Sequence, residues 1–405
     1  MNNAKKIYLD YSATTPCDPD VLNEMIPFFT EKFGNSGSRS HSFGWEAEEG
    51  LETAREQVAK SIGASKGEII FTSGATESNN IAIKGGMRYL HKNKGKNHII
   101  TTVIEHKCVL SSCESLEEEG FRVTYLKVKQ NGIVDLDELR NAITPETGMI
   151  SIAWVHNEIG VIQPIKEIGE ICKSHGIYFH TDAAQALGRV KIDVNENNID
   201  MLSLSGHKIY GPKGIGALYM RRGVRVHRII SGGGQEKGIR SGTLPVPLCV
   251  GMGKAAEIAE SMRESECKKM RELRTIMLDR LFTELKDITL NGDKDIRVPH
   301  NINISFSCVE GESLMMYLNG IAVSSGSACT SGSLEPSYVL TALGVDTDLV
   351  HTAIRIVFGR YTTKQDVEDA TQRIIDSVNK LRHMSPLWDM KQAGIDLNSI
   401  QWTEH

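Results

Sequence analysis

The sequence predicts an α/β protein in which a large domain on a mostly parallel sheet is followed by a smaller α+β domain. The chain has 405 residues, more than one typical domain, and its 40% hydrophobic and 24% charged residues are usual for a globular protein. From about residue 46 to 257, apolar runs of strand length alternate with segments of helical period. Near residue 258 the pattern changes to a long amphipathic helix and a shorter series of elements.

Seven short apolar runs are the predicted strands of the large sheet. They cover residues 68–72, 98–104, 122–128, 149–155, 177–180, 201–205 and 215–220. Helices are predicted between them, and a strand that follows a helix pairs in parallel with the strand before it. We therefore expect a mostly parallel, seven-stranded sheet.

The smaller domain is predicted from the remaining sequence. The long helix carries an apolar face made of Met270, Leu273, Met277, Leu281 and Leu285. The elements predicted after it are a strand at 301–306, a helix from 312, a strand at 353–358 and a helix at 363–382. This pattern predicts a large domain over 16–257 and a small domain formed by 1–15 and 258–405.

The composition argues against several functional classes. Lys and Arg number 46 against 51 Asp and Glu, and the net charge of −5 does not favour a nucleic acid or an anionic membrane as partner. No apolar run approaches the roughly 20 residues that cross a bilayer. Residues 1–6 have neither an apolar signal core nor an Arg-rich amphipathic stretch. We therefore expect a protein that is neither exported nor inserted into a membrane.

The eight cysteines are scattered along the chain without a C-x-x-C pair. Such spacing in a long chain indicates reduced thiols in a cytosol-like compartment rather than a disulfide framework. No set of four ligands has the spacing of a zinc site, so no structural metal is predicted.

Two predicted strand ends carry groups that suit a carbonyl cofactor. Asp182 follows one strand, and Lys208 follows the next strand through a Ser-Gly-His turn. Taken alone, Asp182 is more often a helix N-cap and Lys208 a surface charge. However, the carboxyl ends of parallel strands form the ligand crevice of an open sheet. Together the two residues fit pyridoxal 5'-phosphate, which needs a lysine for its Schiff base and an acid against its ring nitrogen.

Two glycine-containing segments are candidates for holding a phosphate. In the first, the backbone N–H groups of Gly74, Ala75 and Thr76 lie between a predicted strand and a helix start, where an anion is favoured. In the second, the glycine-rich segment 232–243 ends in the hydroxyl of Thr243. The alternatives are an ordinary capped turn and a mobile surface loop.

Three further polar residues lie at predicted strand ends or inside a strand. His106 could stack on a flat ring or move protons, although a lone histidine is more often structural. Asn157 could donate a hydrogen bond to a ring oxygen. Arg355 interrupts an apolar run and is either an edge-strand charge or a bidentate carboxylate clamp.

One cysteine stands out by its neighbours. Cys329 lies in the segment 323–333, where small hydroxyl residues and glycines cannot form a core. This composition predicts an exposed, reactive thiol on a loop. Such a thiol is suited to attack a group that is held elsewhere and to carry the product away.

These segments resemble the cysteine desulfurases of the iron-sulfur cluster assembly type, within the fold-type I pyridoxal phosphate enzymes of aminotransferase class V. The motifs that carry the resemblance are YLDYSATTP (8–16), TSGATES (72–78), EHK (105–107), HNEIG (156–160), SGHKIYGPKGIGA (205–217), RSGTLP (240–245), SSGSACTSGSLEPSYVL (324–340) and SPLW (385–388). The chain departs from the family pattern at Ser36, which replaces the proline of a Gly-Asn-Pro turn, and at Gln235 and Lys237 in the GGGHERG loop.

The resemblance implies a role for each candidate residue. Lys208 binds the cofactor covalently, Asp182 pairs with the pyridinium nitrogen, and His106 stacks on the ring and moves protons. Gln185 and Asn157 contact the ring oxygen, and Arg355 with Asn35 binds the substrate carboxylate. The phosphate ligands are Ala75, Thr76, Ser205, Gly206 and His207, with Thr243 arriving from the second subunit of a homodimer. Cys329 accepts the sulfur.

The implied reaction converts L-cysteine to L-alanine and leaves a persulfide on Cys329. The implied sulfur acceptors are an iron-sulfur scaffold protein and other pathways such as thio-cofactor synthesis and tRNA thiolation. No metal is expected in the free enzyme, although Cys329 can transiently ligate a 2Fe-2S cluster on the scaffold. The expected location is the cytoplasm, with the mitochondrial matrix as the alternative. Two other functions stay open at this stage: a selenocysteine lyase or aminotransferase on the same fold, and a non-enzymatic scaffold or metal carrier.

Overall fold

The structure, a computed structural model, describes residues 6–325 and 336–395. In chain order its strands are β1 (Ile7–Tyr8), β2 (Ile69–Thr72), β3 (His98–Thr102), β4 (Arg122–Leu126), β5 (Thr147–Ser151), β6 (Tyr178–Asp182), β7 (Met201–Ser205), β8 (Gly216–Met220), β9 (Ile288–Leu290), β10 (Asn301–Phe306), β11 (Ile321–Ala322), β12 (Ser324–Ser325) and β13 (Ile354–Val357). Its α-helices are α1 (Pro19–Met25), α2 (Pro27–Thr30), α3 (Ser42–Ser61), α4 (Ala75–Asn80), α5 (Gly86–Lys94), α6 (Lys107–Glu118), α7 (Leu136–Ala142), α8 (Ile165–His175), α9 (Val246–Glu284), α10 (Gly311–Tyr317), α11 (Tyr338–Ala342), α12 (Thr347–His351), α13 (Lys364–His383) and α14 (Pro386–Gln392).

The large sheet has seven strands in the order β2-β8-β7-β6-β5-β3-β4, which confirms the predicted mostly parallel sheet. Strands β3 to β7 pair in parallel, whereas β8 runs antiparallel to both of its neighbours. The connection between β7 and β8 covers only residues 206–215, which is too short for a helical crossover. Four of the strands are buried along their whole length, as expected for a sheet that is covered on both faces.

A buried histidine fixes the strand that ends at Asp182. His180 places its Nδ1 2.8 Å from Ser151 Oγ on β5 and its Nε2 3.1 Å from Ser203 Oγ on β7. Burial lowers the pKa of His180 to about 4, so the ring is neutral at physiological pH. Since β6 is tied to both neighbouring strands two residues before Asp182, the position of that carboxylate is set by the sheet.

The smaller sheet is antiparallel, in the order β12-β13-β10-β9, and it confirms the strands predicted at 301–306 and 353–358. The long helix α9 begins at Val246 rather than near residue 258. Its first half was missed because it is close-packed rather than amphipathic: a Cβ at Gly253 would lie 2.5 Å from Ala54 Cα of α3. The apolar face predicted for its second half is buried in a separate cluster beside β10 and β13. One helix therefore contributes to both cores and spans position 257, and the division into two domains stays a prediction.

The N-terminal segment connects the two cores. Ile7 and Leu9 pack in the cluster of the smaller sheet. A few residues later, Thr15 N donates a hydrogen bond to His207 O at 3.0 Å, beside β7. The segment 12–15 therefore lies against the carboxyl edge of the large sheet. In the described part of the chain, no helix combines the length and the apolar character that a membrane span requires.

Candidate active site

The structure brings Asp182, Lys208 and His106 together at the carboxyl edge of the large sheet. Asp182 ends β6, Lys208 follows β7 in a 3-10 turn, and His106 precedes α6. Burial lowers the pKa of His106, the Lys208 charge adds to this effect, and the Asp182 charge opposes it. The three groups are therefore close enough to interact, although they come from three separate strand ends.

The Asp182 carboxylate is held by two donors. Its Oδ1 accepts a hydrogen bond from Ala184 N at 2.9 Å, and its Oδ2 accepts one from Asn79 Nδ2 at 2.7 Å. The residues after Asp182 form turns rather than an α-helix, so Asp182 is not the N-cap of an α-helix. Each oxygen still has a free lone pair, and the residue is only partly buried. The carboxylate can therefore accept a hydrogen bond from a ring nitrogen.

The Lys208 amine points across the edge of the sheet to the N-terminal segment. Its Nζ donates to Ser12 O at 2.5 Å and to Ala13 O at 2.8 Å. The neighbouring His207 supports the same contact, because its Nδ1 lies 3.1 Å from Thr14 Oγ1. Burial lowers the pKa of His207 to about 4, with further lowering by the two nearby lysines. A neutral His207 can serve as a hydrogen-bonding ligand without adding charge.

His106 is the N-cap of α6 (Lys107–Glu118). Its Nδ1 accepts a hydrogen bond from Cys108 N at 3.2 Å and lies 3.0 Å from Cys108 Sγ. The lowered pKa keeps the imidazole neutral near pH 7. A neutral, partly exposed ring fits both proposed tasks, which are stacking on an aromatic ring and proton transfer.

The predicted phosphate turn has the expected form. Gly74 has φ 156° and directly precedes α4, whose first residues are Ala75 and Thr76. The first N–H groups of a helix have no intrahelical acceptor and attract anions. Gly216 on β8 allows this turn to approach closely, because a Cβ there would lie 2.6 Å from Gly74 Cα.

A partly buried ion pair ties this turn to the glycine-rich segment. Glu77 Oε2 accepts from Ser73 N at 2.6 Å, and Glu77 Oε1 accepts from Arg240 Nε at 2.9 Å. Thr243, three residues after Arg240, is exposed. Ser205 and Gly206 are buried at the end of β7, opposite the turn. The structure therefore gathers Ser205, Gly206, Ala75 and Thr76 near the predicted phosphate seat and leaves Thr243 facing outwards.

Gln185 and Asn157 lie at the site, and both form hydrogen bonds with other residues of the protein. Gln185 Nε2 donates to Ser12 O at 2.9 Å, and its side-chain oxygen accepts from Arg189. Asn157 follows β5, and its backbone O accepts from Arg355 Nη1 at 3.3 Å. Their predicted contacts with a ring oxygen stay predictions.

Arg355 lies in the middle of the smaller sheet. Strand β13 pairs with both β10 and β12, so the edge-strand interpretation of this charge is wrong. The guanidinium is buried, and its Nη2 donates to Asp10 Oδ1 at 2.7 Å and to Ser324 Oγ at 3.1 Å. Together with Asn157 O on Nη1, these acceptors hold the guanidinium plane in one orientation.

The described contacts do not bring Asn35 to this cluster. Asn35 lies on an exposed turn, where its Oδ1 accepts from Gly37 N at 2.9 Å. Cys329 lies outside the described residues, as do the other positions of 326–335. The residues on either side are anchored at the site: Ser324 bonds Arg355, and Ser337 Oγ donates to Glu158 Oε1 at 2.6 Å.

Two buried carboxyl groups were missed by the sequence analysis. Glu105 accepts hydrogen bonds from Thr102 Oγ1 and Ala153 N, and burial raises its pKa to about 8. Burial also raises the pKa of Glu158 to about 7, although Ser337 and Arg355 oppose the rise. The only available signal was an acid inside each of the motifs EHK and HNEIG.

Asn79 and Cys108 were also missed, and a helical spacing could have found one of them. Asn79 lies three residues after Thr76, which places it on the same face of α4. It is fully buried and reaches both Asp182 and Cys108. Nothing in the local sequence indicates that Cys108 meets Asn79, because the two come from different helices.

Comparison with known proteins shows the family to which the chain is similar. The family described as aminotransferase class-V matches residues 7–369. The protein named cysteine desulfurase IscS of Rickettsia bellii (strain OSU 85-389) is 59% identical over 401 residues, which are 98% of this chain and 97% of the relative. The protein of the same name from Rickettsia felis (strain ATCC VR-1525 / URRWXCal2) is 58% identical over 408 residues, with 100% and 99% coverage.

Solved structures of related proteins have a similar fold. A NifS-like protein superposes with a TM-score of 0.86 at 38% identity, covering 93% of this chain and 100% of that one. A structure described as SspA in complex with cysteine has a TM-score of 0.75 at 39% identity, covering 88% and 100%. A NifS-like protein from Rickettsia africae ESF-5 has a TM-score of 0.82 at 30% identity, covering 92% and 99%.

Proposed function

The chain belongs to the aminotransferase class V family and is a pyridoxal phosphate-dependent cysteine desulfurase, and we propose that the side chains gathered at the carboxyl edge of its large sheet carry out this reaction. The observation that supports this assignment of roles is the meeting of an amine, an acid and a neutral imidazole at three strand ends. This set matches what the cofactor needs from a protein.

The residues present fit pyridoxal phosphate. Lys208 offers the amine for covalent attachment, and Asp182 offers a fixed carboxylate with free lone pairs for the ring nitrogen. The start of α4 and the neighbouring Ser205 and His207 offer donors for the phosphate. When bound, the cofactor supplies an electron sink that stabilises negative charge at the α-carbon of the substrate.

Proton transfer falls to Lys208 and His106 in this proposal. The amine of Lys208 would hold the cofactor covalently, and when it is not so bound it could take a proton from the substrate. His106 is neutral near pH 7 because burial lowers its pKa, so it can give a proton to one atom and take one from another.

Arg355 is proposed to bind the carboxylate of L-cysteine. Asp10, Ser324 and Asn157 already hold its guanidinium plane, so little orientation is lost when the substrate arrives. Asn35 is proposed to assist, although the structure places it on an exposed turn of the chain. The related structure described as a complex with cysteine supports this substrate.

Cys329 is proposed to accept the sulfur. The carbon–sulfur bond of L-cysteine breaks, a sulfur–sulfur bond forms on Cys329, and the hydrogen lost from the two thiols appears on the methyl group of L-alanine and on the persulfide. The balance needs no oxidant, because L-cysteine and one thiol give L-alanine and one persulfide.

A homodimer is proposed from the exposed surface of the N-terminal region. Six large apolar side chains with exposures of 47–64% lie between residues 22 and 45: Leu22, Ile26, Phe29, Phe33, Phe43 and Trp45. An apolar surface of this kind marks an interface. Because Thr243 is exposed as well, a second copy of the chain could receive its hydroxyl at the phosphate seat.

The persulfide is proposed to pass to an iron-sulfur scaffold protein and to other sulfur acceptors, in the cytoplasm. The relatives named cysteine desulfurase IscS cover almost the whole chain, which supports an acceptor of the same kind.

The decisive experiment compares Cys329→Ser with Cys17→Ser. Cys17 is exposed and has no proposed role, so its variant controls for the loss of any reactive thiol. We expect Cys329→Ser to keep the yellow absorbance of the bound cofactor but to form no persulfide and no alanine. We expect Cys17→Ser to resemble the wild type in absorbance, persulfide labelling and alanine release. Normal alanine release from Cys329→Ser would refute the role given to Cys329.

A further inference from the structure

A chain of hydrogen bonds joins the two cofactor-facing groups Asp182 and His106. Asn79 Nδ2 donates to Asp182 Oδ2 at 2.7 Å and to Cys108 Sγ at 3.0 Å. Cys108 Sγ in turn lies 3.0 Å from His106 Nδ1. In this chain of bonds, Asn79 and Cys108 connect Asp182 at the end of β6 to His106 at the start of α6.

The direction of each bond follows from the donors available. A carboxylate only accepts, so the Asn79 amide must turn its Nδ2 towards Asp182, and the second hydrogen of Nδ2 is directed to sulfur. The side-chain oxygen of Asn79 is buried and has no hydrogen-bond partner in 6–325 or 336–395, which is the cost of this orientation. The Asn79 amide therefore donates two hydrogen bonds through Nδ2, and these fix its orientation.

Two groups of Cys108 face His106 Nδ1, the backbone N–H and the thiol. Cys108 N donates to His106 Nδ1 at 3.2 Å, so Nδ1 carries a lone pair and cannot bear the proton of the neutral ring. The single lone pair of Nδ1 is then shared between the backbone N–H and the thiol hydrogen of Cys108, while the sulfur accepts from Asn79. The proton of the neutral imidazole must be on Nε2.

The protonation states agree with this direction. Burial raises the pKa of Cys108 to about 12, and the charge of Asp182 adds to the rise, while hydrogen bonds from Asn79 and Thr76 oppose it. Cys108 is therefore a thiol that can donate, and not a thiolate. Burial also lowers the pKa of His106, which leaves the ring as an acceptor at Nδ1.

We propose that Asn79 and Cys108 are positioning residues: Asn79 orients the Asp182 carboxylate, and the Cys108 thiol adds a second donor to the backbone N–H of Cys108 that together hold His106 as the tautomer with its proton on Nε2. The inference rests on the roles proposed above for His106 and Asp182. Its consequence is that the neutral ring of His106 presents a hydrogen-bond donor, and not an acceptor, at Nε2. A residue that merely filled space would need neither the thiol hydrogen nor the amide hydrogens.

The test compares Cys108→Ala with Cys108→Ser and with Cys113→Ala. Serine keeps a donor and an acceptor, alanine removes both, and Cys113 is a fully buried cysteine of the same helix that lies in an apolar cluster. We expect Cys108→Ala to lower kcat about tenfold with KM within about twofold, a fraction of the roughly 100- to 10,000-fold that general acid–base catalysis supplies. We expect Cys108→Ser to restore kcat to within about twofold of the wild type, and Cys113→Ala to lower only the melting temperature.

A direct readout does not depend on turnover. In the holoenzyme with nitrogen-labelled histidine, the His106 signals should show a protonated Nε2 and a bare Nδ1, and Cys108→Ala should shift the Nδ1 signal while Cys108→Ser should not. Asn79→Leu should change the pH midpoint of the cofactor absorbance, because Asp182 loses a donor. Unchanged nitrogen signals and an unchanged kcat in Cys108→Ala would overturn the proposal, as would an equal loss in the serine and alanine variants.

The two hypotheses fail in different ways. If the wild type formed no persulfide, the proposed function would be wrong while the nitrogen signals still reported the tautomer. If persulfide formed normally but Nδ1 carried the proton, the positioning role alone would be refuted.

Discussion

Two regions meet at the active site, and they are built differently. The first, the cofactor edge, comprises Asp182, Lys208 and His106, which follow strands of one sheet. The second, the substrate side, comprises Arg355 with its partners Asp10, Ser324 and Asn157. These partners come from places 345, 31 and 198 positions away in the sequence.

The two regions differ in which contacts must form before their functional groups come together. At the cofactor edge, strand pairing alone brings the functional groups within reach, since parallel strands end at the same edge of a sheet. On the substrate side, the guanidinium is oriented only when the N-terminal segment, the large sheet and the smaller sheet are all docked. Cofactor attachment and substrate binding should therefore respond separately to mutation.

The largest expected effect is confined to the cofactor edge. Lys208→Ala should lose the yellow absorbance of the covalently bound cofactor and all alanine formation, because the variant lacks the amine proposed to attach the cofactor. Absorbance of the purified protein and an alanine assay measure both losses.

The control for this variant is Lys213→Ala, which removes an exposed lysine from the turn between β7 and β8. It should keep both the absorbance and the activity. Yellow absorbance of wild-type strength in Lys208→Ala would mean that another lysine holds the cofactor, and the comparison of the two regions would lose its basis.

A smaller effect is expected on the substrate side. Arg355→Lys should lower kcat/KM for L-cysteine by about 10- to 100-fold, the loss of one charge-assisted hydrogen bond of roughly 1.5–3 kcal/mol, because an ammonium lacks the planar fork. The absorbance of the bound cofactor should stay unchanged, since Arg355 lies outside the cofactor edge.

A buried arginine of α13 provides the control. Arg382 donates to Ser307 O and Asp287 O and stacks over Trp388 at 4.1 Å, away from the site. Arg382→Lys should reduce the melting temperature without changing kcat/KM. A loss of cofactor absorbance in Arg355→Lys would show that the two regions are not separable.

This contrast also explains what the sequence could predict. The groups of the cofactor edge lie within a few residues of strand ends, so the apolar runs located them and their shared edge followed from the parallel sheet. The seven strands were predicted for the same reason, since each is a short apolar run between turns. The start of α9 was displaced, because its close-packed first half lacks a polar face.

The substrate side could not be predicted in the same way. The edge-strand alternative for Arg355 was wrong because β12 consists of two serines, and such a short polar strand leaves no apolar run to detect. The pairing of Arg355 with Asp10 depends on the N-terminal segment crossing between the cores. Asn79 and Cys108 escaped notice for a related reason: their contact joins two helices, and no periodicity within one helix reports it.

The last prediction compares the two buried carboxyl groups and tests the sign of charge in each region. Burial is the main cause of both raised pKa values, but Glu105 faces the negative Asp182 and reaches about 8, whereas Glu158 faces the positive Arg355 and reaches about 7. Each folded carboxyl keeps a proton that the unfolded chain releases above about pH 4.5. Wild-type stability should therefore fall as pH rises from about 4.5 towards these values, by at most about 1.4 kcal/mol per pH unit and group.

Glu158→Gln keeps an acceptor for Ser337 and should abolish the part of this fall that ends near pH 7, leaving the part that continues towards pH 8. Urea unfolding of both proteins between about pH 5 and 8 measures the difference, and parallel pH profiles would show that Glu158 is ionised throughout and that Arg355 dominates its surroundings.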